Sequence, residues 1–114
     1  MTKIFSRDIN DVVIFEIQGE FHRDEKTIEL KSRIEELIAK GKTKFIINLK
    51  EVTTISSSGL SVLIGLLPLV SVSNSSLILA ELSEPVQRIL EAANLKGIFT
   101  IQESIKEIPK FAAN

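Results

Sequence analysis

An alternation of apolar and polar residues opens the chain and is typical of β-structure. From Val13 to Ile17, apolar residues alternate with more polar neighbours, which is the period of a half-buried strand. The pattern predicts two strands, Lys3–Asp8 and Asp11–Gln18. Asn10-Asp11 supplies a turn between them, so we expect a hairpin.

The next segment has a helical period. Asp24 is a suitable N-cap, and Gly41 is a suitable stop just after the predicted end near Ala39. Charged residues occupy the opposite side of this helix, so one face lies in solvent. Its expected buried face consists of Leu30, Ile34, Leu37 and Ile38.

Two more strands and a helix follow. The apolar run Lys44–Leu49 (KFIINL) predicts a central strand. A helix is expected to begin after Ser57 or Ser58 and to reach about residue 70, with Pro68 bending or ending it. A further strand is predicted over Leu77–Ala80.

The last part of the chain repeats the alternation of helix and strand. Ser83 is expected to cap a helix that Asn94–Gly97 closes, and Ile98–Gln102 is predicted as a last strand. Ser104 and Glu107 have the spacing of a capping box, which predicts a short C-terminal helix. The predicted fold is therefore α/β: one domain over residues 1–114, with a mixed sheet of four or five strands and about four helices.

Composition narrows the function classes. The chain has 114 residues, 44% of them hydrophobic and 25% charged, and a net charge of -1. These values are typical of one ordinary globular domain, and the absence of a basic face argues against a nucleic-acid partner. Without cysteine, disulfides, thiolate metal sites and thiol catalysis are excluded. We expect no metal ion and no cofactor.

One segment carries no charge, although both of its flanks are densely charged. It runs from Val52 to Ala80, and its most apolar part, Leu60–Val72, is too short and too interrupted for a membrane span of about 20 residues. The N-terminus lacks the apolar core of a secretory signal, so the cytoplasm is the expected location. The apolar helix is expected to be buried in the domain or to be covered by a partner or a second copy of the chain, as a homodimer.

The stretch TTISSSGLSVLIG places three serines where a strand ends and the apolar helix begins. Sites in parallel sheets usually lie at such connections. A nucleophile has little support, because no G-x-S-x-G occurs and His22, the single histidine, has no pattern that marks it as a base. A P-loop lacks its lysine. Capping explains one serine, and a phosphate acceptor at the helix N-terminus remains as the chemical interpretation.

The sequence INLKEVTTISSSGLSVLIG resembles the central motif of STAS domains, the family of bacterial anti-sigma factor antagonists. The resemblance extends over nearly the whole chain. It implies that Ser57 is a phosphoacceptor, that an anti-sigma factor serine kinase is the partner, and that a PP2C-type phosphatase removes the phosphate. It also implies that the unphosphorylated chain binds the kinase and that the chain is not itself an enzyme, so no residue is expected to be catalytic.

The chain departs from the family pattern at two positions. Ser56 and His22 stand where family members usually have aspartate, although Asp24 on the next loop could reach the same space. Ser58 is expected to help cap the helix that Gly59 allows to approach closely. The residues expected to contact a partner are Phe21, His22, Arg23, Ser57, Ser58, Leu60, Ser61 and Ile64.

Two other functions stay open from the sequence. One is a STAS-like subunit of a stress-sensing or lipid-transport assembly, which would act as a protein-interaction module without phosphorylation. The other is a sensor of a small ligand, which is weakly supported because no convergent set of polar groups is visible.

Overall fold

Five strands lie side by side in chain order in a computed structural model that describes residues 2–104. The first two strands pair antiparallel, and every later pair of neighbours is parallel. The sheet is therefore mixed, as predicted. The elements are β1 (Lys3–Ile9), β2 (Val12–Phe21), α1 (Glu25–Ala39), β3 (Lys44–Ile55), α2 (Ser57–Val72), β4 (Ser76–Ala80), α3 (Glu84–Ala92), a 3₁₀ turn (Lys96–Ile98) and β5 (Thr100–Gln102).

A two-residue turn joins β1 to β2. Asn10 and Asp11 have φ angles of 52° and 66°, and the flanking Ile9 and Val12 pair directly. Asparagine and aspartate tolerate this left-handed conformation better than most residues, so the turn forms where the sequence predicts it.

The helices connect neighbouring parallel strands, and each connection moves one strand further in the same direction. With the usual right-handed crossover, all three helices lie on one face of the sheet. The main hydrophobic core lies there and includes Phe15, Phe45, Leu49, Leu63, Leu66, Leu79, Val86 and Leu90.

The opposite face of the sheet has its own smaller cluster. Its side chains are at most 5% exposed, and Ile9 packs against them. The central strands are thus buried on both faces, which explains why they read as continuous apolar runs. The cluster consists of Val12, Ile14, Ile46, Ile78 and Ala80.

The helix α2 buries one side within the domain and leaves the other exposed. Leu63 and Leu66 are fully buried, whereas Val72 at the end is 89% exposed. Pro68 lies inside the helix, which continues to Val72, so Pro68 does not end the helix. Pro68 is itself exposed, and its ring is on the solvent side. In the part of the chain that the structure describes, no helix is both long and apolar enough to cross a membrane.

Two strands are longer than their local pattern predicts. β2 continues to Phe21 and β3 to Ile55, and these two residues pair with each other at the end of the sheet. Register shifts after Glu16 and Gly19 let the pairing continue beyond the end of β4. Pairing with a neighbour therefore extends β3 across its charged residues, which the sequence pattern alone did not indicate.

The C-terminal part differs in detail from the prediction. Residues 96–98 form a 3₁₀ turn, so β5 begins at Thr100 rather than Ile98. Ser83 occupies the N-cap position of α3, but its side chain makes no capping hydrogen bond. The short helix predicted from Ser104 lies outside the described residues, and three of the four expected helices are seen.

Candidate functional site

Two connections lie side by side at the carboxyl edge of the sheet. Because β2 and β3 are parallel neighbours that both end at this edge, the β2–α1 loop (residues 22–24) lies next to the residue that links β3 to α2. The backbone N–H of Ser56 donates to the carbonyl oxygen of Phe21 at 3.2 Å. We call this pair of connections the paired loops.

Ser56 is the N-cap of α2. Its backbone is extended (φ -96°, ψ 171°), and its Oγ accepts a hydrogen bond from the N–H of Gly59 at 3.2 Å. Its carbonyl accepts the first helical bond, from Leu60, at 2.9 Å. Ser58 is expected from the sequence to help cap the helix, but within residues 2–104 its hydroxyl bonds to no backbone N–H of α2 and instead lies against the hydroxyl of Ser56, so the direct cap is Ser56 alone. Serine at position 56 keeps the capping function that an aspartate would have there, without the charge.

Ser58 holds the paired loops together. Its Oγ accepts a hydrogen bond from the backbone N–H of Arg23 at 3.0 Å and lies 2.8 Å from the Oγ of Ser56. The hydroxyl thus connects a residue of the β2–α1 loop with the N-cap of α2, and Arg23 and Ser58 are 35 positions apart in sequence. Its role is to position one loop against the other.

Ser57 differs from both of its serine neighbours. It is the first residue of α2 and is exposed, and within residues 2–104 its hydroxyl has no hydrogen-bond partner. Its carbonyl accepts a bond from the Oγ of Ser61 at 3.1 Å, which leaves the Ser57 side chain unaffected. Among the three serines, Ser57 is therefore the one whose exposed hydroxyl is not engaged in a hydrogen bond within the described residues.

Gly59 brings α2 against the end of β2. A Cβ atom at this position would lie 2.1 Å from the carbonyl oxygen of Phe21 and 2.8 Å from the ring carbon Cδ1 of the same residue. Only a residue without a side chain fits there, which confirms that Gly59 allows close approach. The contact partner, the backbone of Phe21, was not apparent from the sequence.

Asp24 is committed to α1. Its carboxylate accepts from the N–H of Thr27 at 3.0 Å, and the Thr27 hydroxyl accepts from the N–H of Asp24 at 2.9 Å, which makes a capping box. The Thr27 bond holds the pKa of Asp24 below its usual value. The Oγ1 of Thr2 also lies 3.3 Å from the carboxylate. None of the hydrogen bonds of this carboxylate within residues 2–104 involves a serine of the triplet. In the sequence, the spacing Asp-x-x-Thr is the signal that could have identified Thr27 as the partner of Asp24 in this capping box.

His22 contacts the acidic end of β2. Its Nε2 lies 3.3 Å from Oε2 of Glu20, and its side chain is 37% exposed. Its Nδ1 is buried and has no hydrogen-bond partner among the residues described. Within residues 2–104 the His22 ring makes no hydrogen bond to Ser56 or Ser57, so the two departures from the expected pattern, His22 and Ser56, are not joined to each other by a side-chain bond.

Two of the residues expected to contact a partner are buried. Phe21 is 0% exposed and Leu60 is 7% exposed, because both side chains belong to the main core. Burial argues against contact through these two side chains, and their part in partner binding stays a prediction. Ile64 is half-buried, while the expected contacts that are exposed are Arg23, Ser57, Ser58 and Ser61.

A mixed five-stranded sheet with helices on one face, and a hydroxyl-rich junction at the start of α2, together define the STAS class of domain. The model of the STAS domain family matches residues 4–108. The chain therefore belongs to the STAS domain family.

Relatives from two Thermotoga species cover most of the chain. A Thermotoga maritima protein provisionally named an anti-sigma factor antagonist is 30% identical over 99 residues, which are 87% of this chain and 88% of the relative. A Thermotoga neapolitana homologue is also 30% identical over 99 residues, with the same coverage. The chain is thus similar in sequence to proteins named for that role.

Solved structures show the same fold. A crystal structure of a T. maritima protein, also provisionally named an anti-sigma factor antagonist, has a TM-score of 0.78 at 28% identity, with 90% of this chain and 87% of that protein covered. The anti-sigma factor antagonist SpoIIAA in its unphosphorylated form has a TM-score of 0.71 at 15% identity, with 91% and 90% covered. At that identity SpoIIAA supports the fold alone.

Proposed function

We propose that this protein is an anti-sigma factor antagonist that works as a partner switch, with Ser57 as its phosphoacceptor. The observation that carries the proposal is the difference between the three serines. Ser56 and Ser58 hold the structure together, whereas the Ser57 hydroxyl is exposed and makes no hydrogen bond in the described part of the chain. The Thermotoga relatives named for this role support it.

The chain supplies only the acceptor hydroxyl in the proposed reaction. Oγ of Ser57 attacks the γ-phosphorus of ATP held by the partner anti-sigma factor serine kinase, so an O–P bond forms and the bond to ADP breaks. The hydroxyl proton passes to a base of the kinase. A PP2C-type phosphatase then hydrolyses the phosphoserine with water and restores the hydroxyl. Because ATP is the phosphate donor, the proposal includes a cytoplasmic location.

Phosphorylation changes the surface more than the fold. The phosphate adds about 1.5 to 2 negative charges beside a helix that has no charged residue from Ser57 to Val72. The backbone N–H groups of Ser57 and Ser58 are free of helical bonds at the helix start and favour an anion there. A partner that docks on the uncharged surface is repelled, while the domain keeps its structure.

The experiment is phosphorylation by the cognate kinase with ATP, followed by mass spectrometry of the peptide that contains the triplet. We expect phosphate on Ser57 in the wild type and none in Ser57→Ala. Ser71→Ala is the matched control, because it removes an exposed hydroxyl near the other end of the same helix, outside the expected contact residues, and it should be phosphorylated like the wild type.

Two results would contradict the proposal. One is phosphate on Ser56 or Ser58 in place of Ser57. The other is the absence of phosphate together with kinase binding that Ser57→Ala and Ser57→Asp leave unchanged. A partner that co-purifies stably and ignores Ser57 substitution would instead indicate an interaction module in a permanent assembly.

A further inference from the structure

We propose that Arg23 binds the phosphate once Ser57 carries it, so that phosphorylation ties the β2–α1 loop to the start of α2 by an ion pair. The inference rests on the proposed function, because it concerns the phosphorylated state of Ser57. It adds a residue that recognises the phosphate within the chain itself, on a loop distant in sequence from the acceptor.

The position of Arg23 is set by the backbone. Its N–H donates to the Oγ of Ser58 at 3.0 Å, which holds the Arg23 backbone beside the residue that directly follows Ser57. The residues Arg23 and Ser57 are both exposed, so neither side chain is confined by the core. The long side chain of arginine can reach the neighbouring position from this point.

The charges around Arg23 leave it available for an anion. It has no ion pair among residues 2–104, whereas the Glu20 carboxylate contacts His22 at 3.3 Å and Asp24 caps α1. The start of α1 adds Glu25 and Lys26, β3 has Glu51 as its last charged residue, and α2 has none. These are the charged residues of those elements that are closest in sequence to the paired loops.

The chemistry favours the pairing. A guanidinium group offers two parallel N–H donors to phosphate oxygens, which is stronger and more directional than a single charge. Because the N-cap residue Ser56 is uncharged, no carboxylate at the N-cap competes with the phosphate for Arg23. The switch then has two parts: phosphorylation adds negative charge next to α2, and it withdraws a positive charge from the exposed loop that a partner can contact.

The test uses the full chain with phosphoserine incorporated at position 57 during translation, so that no kinase is needed. A ³¹P NMR titration follows the second ionisation of the phosphate, whose ordinary pKa is about 6. A nearby cation favours the dianion, so we expect the phosphate pKa in the wild type to lie about half a pH unit below that in Arg23→Gln.

Two further variants separate pairing from a change in net charge. Arg33→Gln removes the same charge from an exposed position of α1 more than two turns from its start, and it should titrate like the wild type. Arg23→Lys keeps the charge without the planar fork and should give an intermediate phosphate pKa.

Identical titration curves for wild type, Arg23→Gln and Arg33→Gln would overturn the proposal. A second, independent measurement needs no variants: the ¹⁵N–¹H signal of the Arg23 side chain should shift when phosphate is present, and an unchanged signal counts against the pairing. Both the ³¹P titration and the Arg23 side-chain signal remain informative even if the kinase does not phosphorylate Ser57, because here the phosphoserine is incorporated during translation.

Discussion

Gly59 and the carbonyl oxygen of Phe21 are in such close contact that a methyl group on Gly59 would lie 2.1 Å from that oxygen. This contact fixes where α2 starts relative to the end of β2. It also sets the distance between the paired loops, because Ser56 on the same side bonds to the same carbonyl.

Substitution of Gly59 by alanine should destabilise the domain. The added Cβ meets a backbone atom, which cannot move away as a flexible side chain would, so we expect a loss of about 1–3 kcal/mol in the free energy of unfolding. Urea denaturation measures it. Since the clash involves the carbonyl of Phe21, adding Phe21→Leu should not restore the stability.

Gly65 provides the matched control within the same helix. A Cβ at Gly65 would meet nothing within 4 Å, so Gly65→Ala should increase the free energy of unfolding by about 0.5–1 kcal/mol through helix propensity. Equal effects of alanine at Gly59 and Gly65 would contradict the close contact that the structure shows.

Loss of the Asp24 cap should weaken α1. Asp24→Ala removes the side-chain acceptor of the Thr27 N–H, and we expect it to lower the free energy of unfolding by about 1 kcal/mol near neutral pH. Asp24→Asn is the control, because its amide oxygen can still accept this bond.

The contribution of Asp24 should also depend on pH. Because the folded pKa lies below the ordinary value of 3.8, the charge-dependent stability is fully present above 3.8 and is lost as the pH falls through the folded pKa. The difference in stability between wild type and Asp24→Asn should therefore narrow in urea melts below that pH. A constant difference would show that the charge on Asp24 does not stabilise the cap.

Ser58 and Ser57 should respond differently to alanine. Ser58→Ala removes the acceptor of the Arg23 N–H, so it should cost about 1 kcal/mol and speed hydrogen exchange at the Arg23 amide. Ser57→Ala removes a hydroxyl with no partner in the described part of the chain, so stability should change by less than about 0.5 kcal/mol. The reverse order of effects would refute the assignment of Ser58 as the residue that joins the loops.

Phe21 should behave as a core residue. Phe21→Ala removes a fully buried ring and should cost about 3–5 kcal/mol in the free energy of unfolding. Phe21→Leu keeps an apolar side chain there and should bind the kinase like the wild type under conditions where it is folded. If a folded Phe21→Leu protein has lost kinase binding, the Phe21 side chain does take part in binding the partner.

The sequence by itself determined the order and type of the secondary structure in the part that the structure describes. The signal for each element comes from residues close together in the chain. Apolar residues alternate with polar ones up to Ile17 in β2, apolar residues recur at helical spacing on one face of α1, and turn residues such as Asn10 accept a positive φ. Such signals are local in the chain, so they can be read without knowing the fold. The position of the serine triplet between β3 and α2 followed from the same order.

The tertiary structure alone decided which residues outside the triplet Ser56 and Ser58 contact. Ser58 bonds to Arg23 and Ser56 to the carbonyl of Phe21, and both partners are far from the triplet in sequence. They meet because β2 and β3 pair in parallel with a register that ends at the same edge of the sheet. Burial of Phe21 and Leu60 has the same origin. Hydrogen-bond partners and burial are properties of the neighbours that folding brings together, and a single stretch of sequence does not contain them.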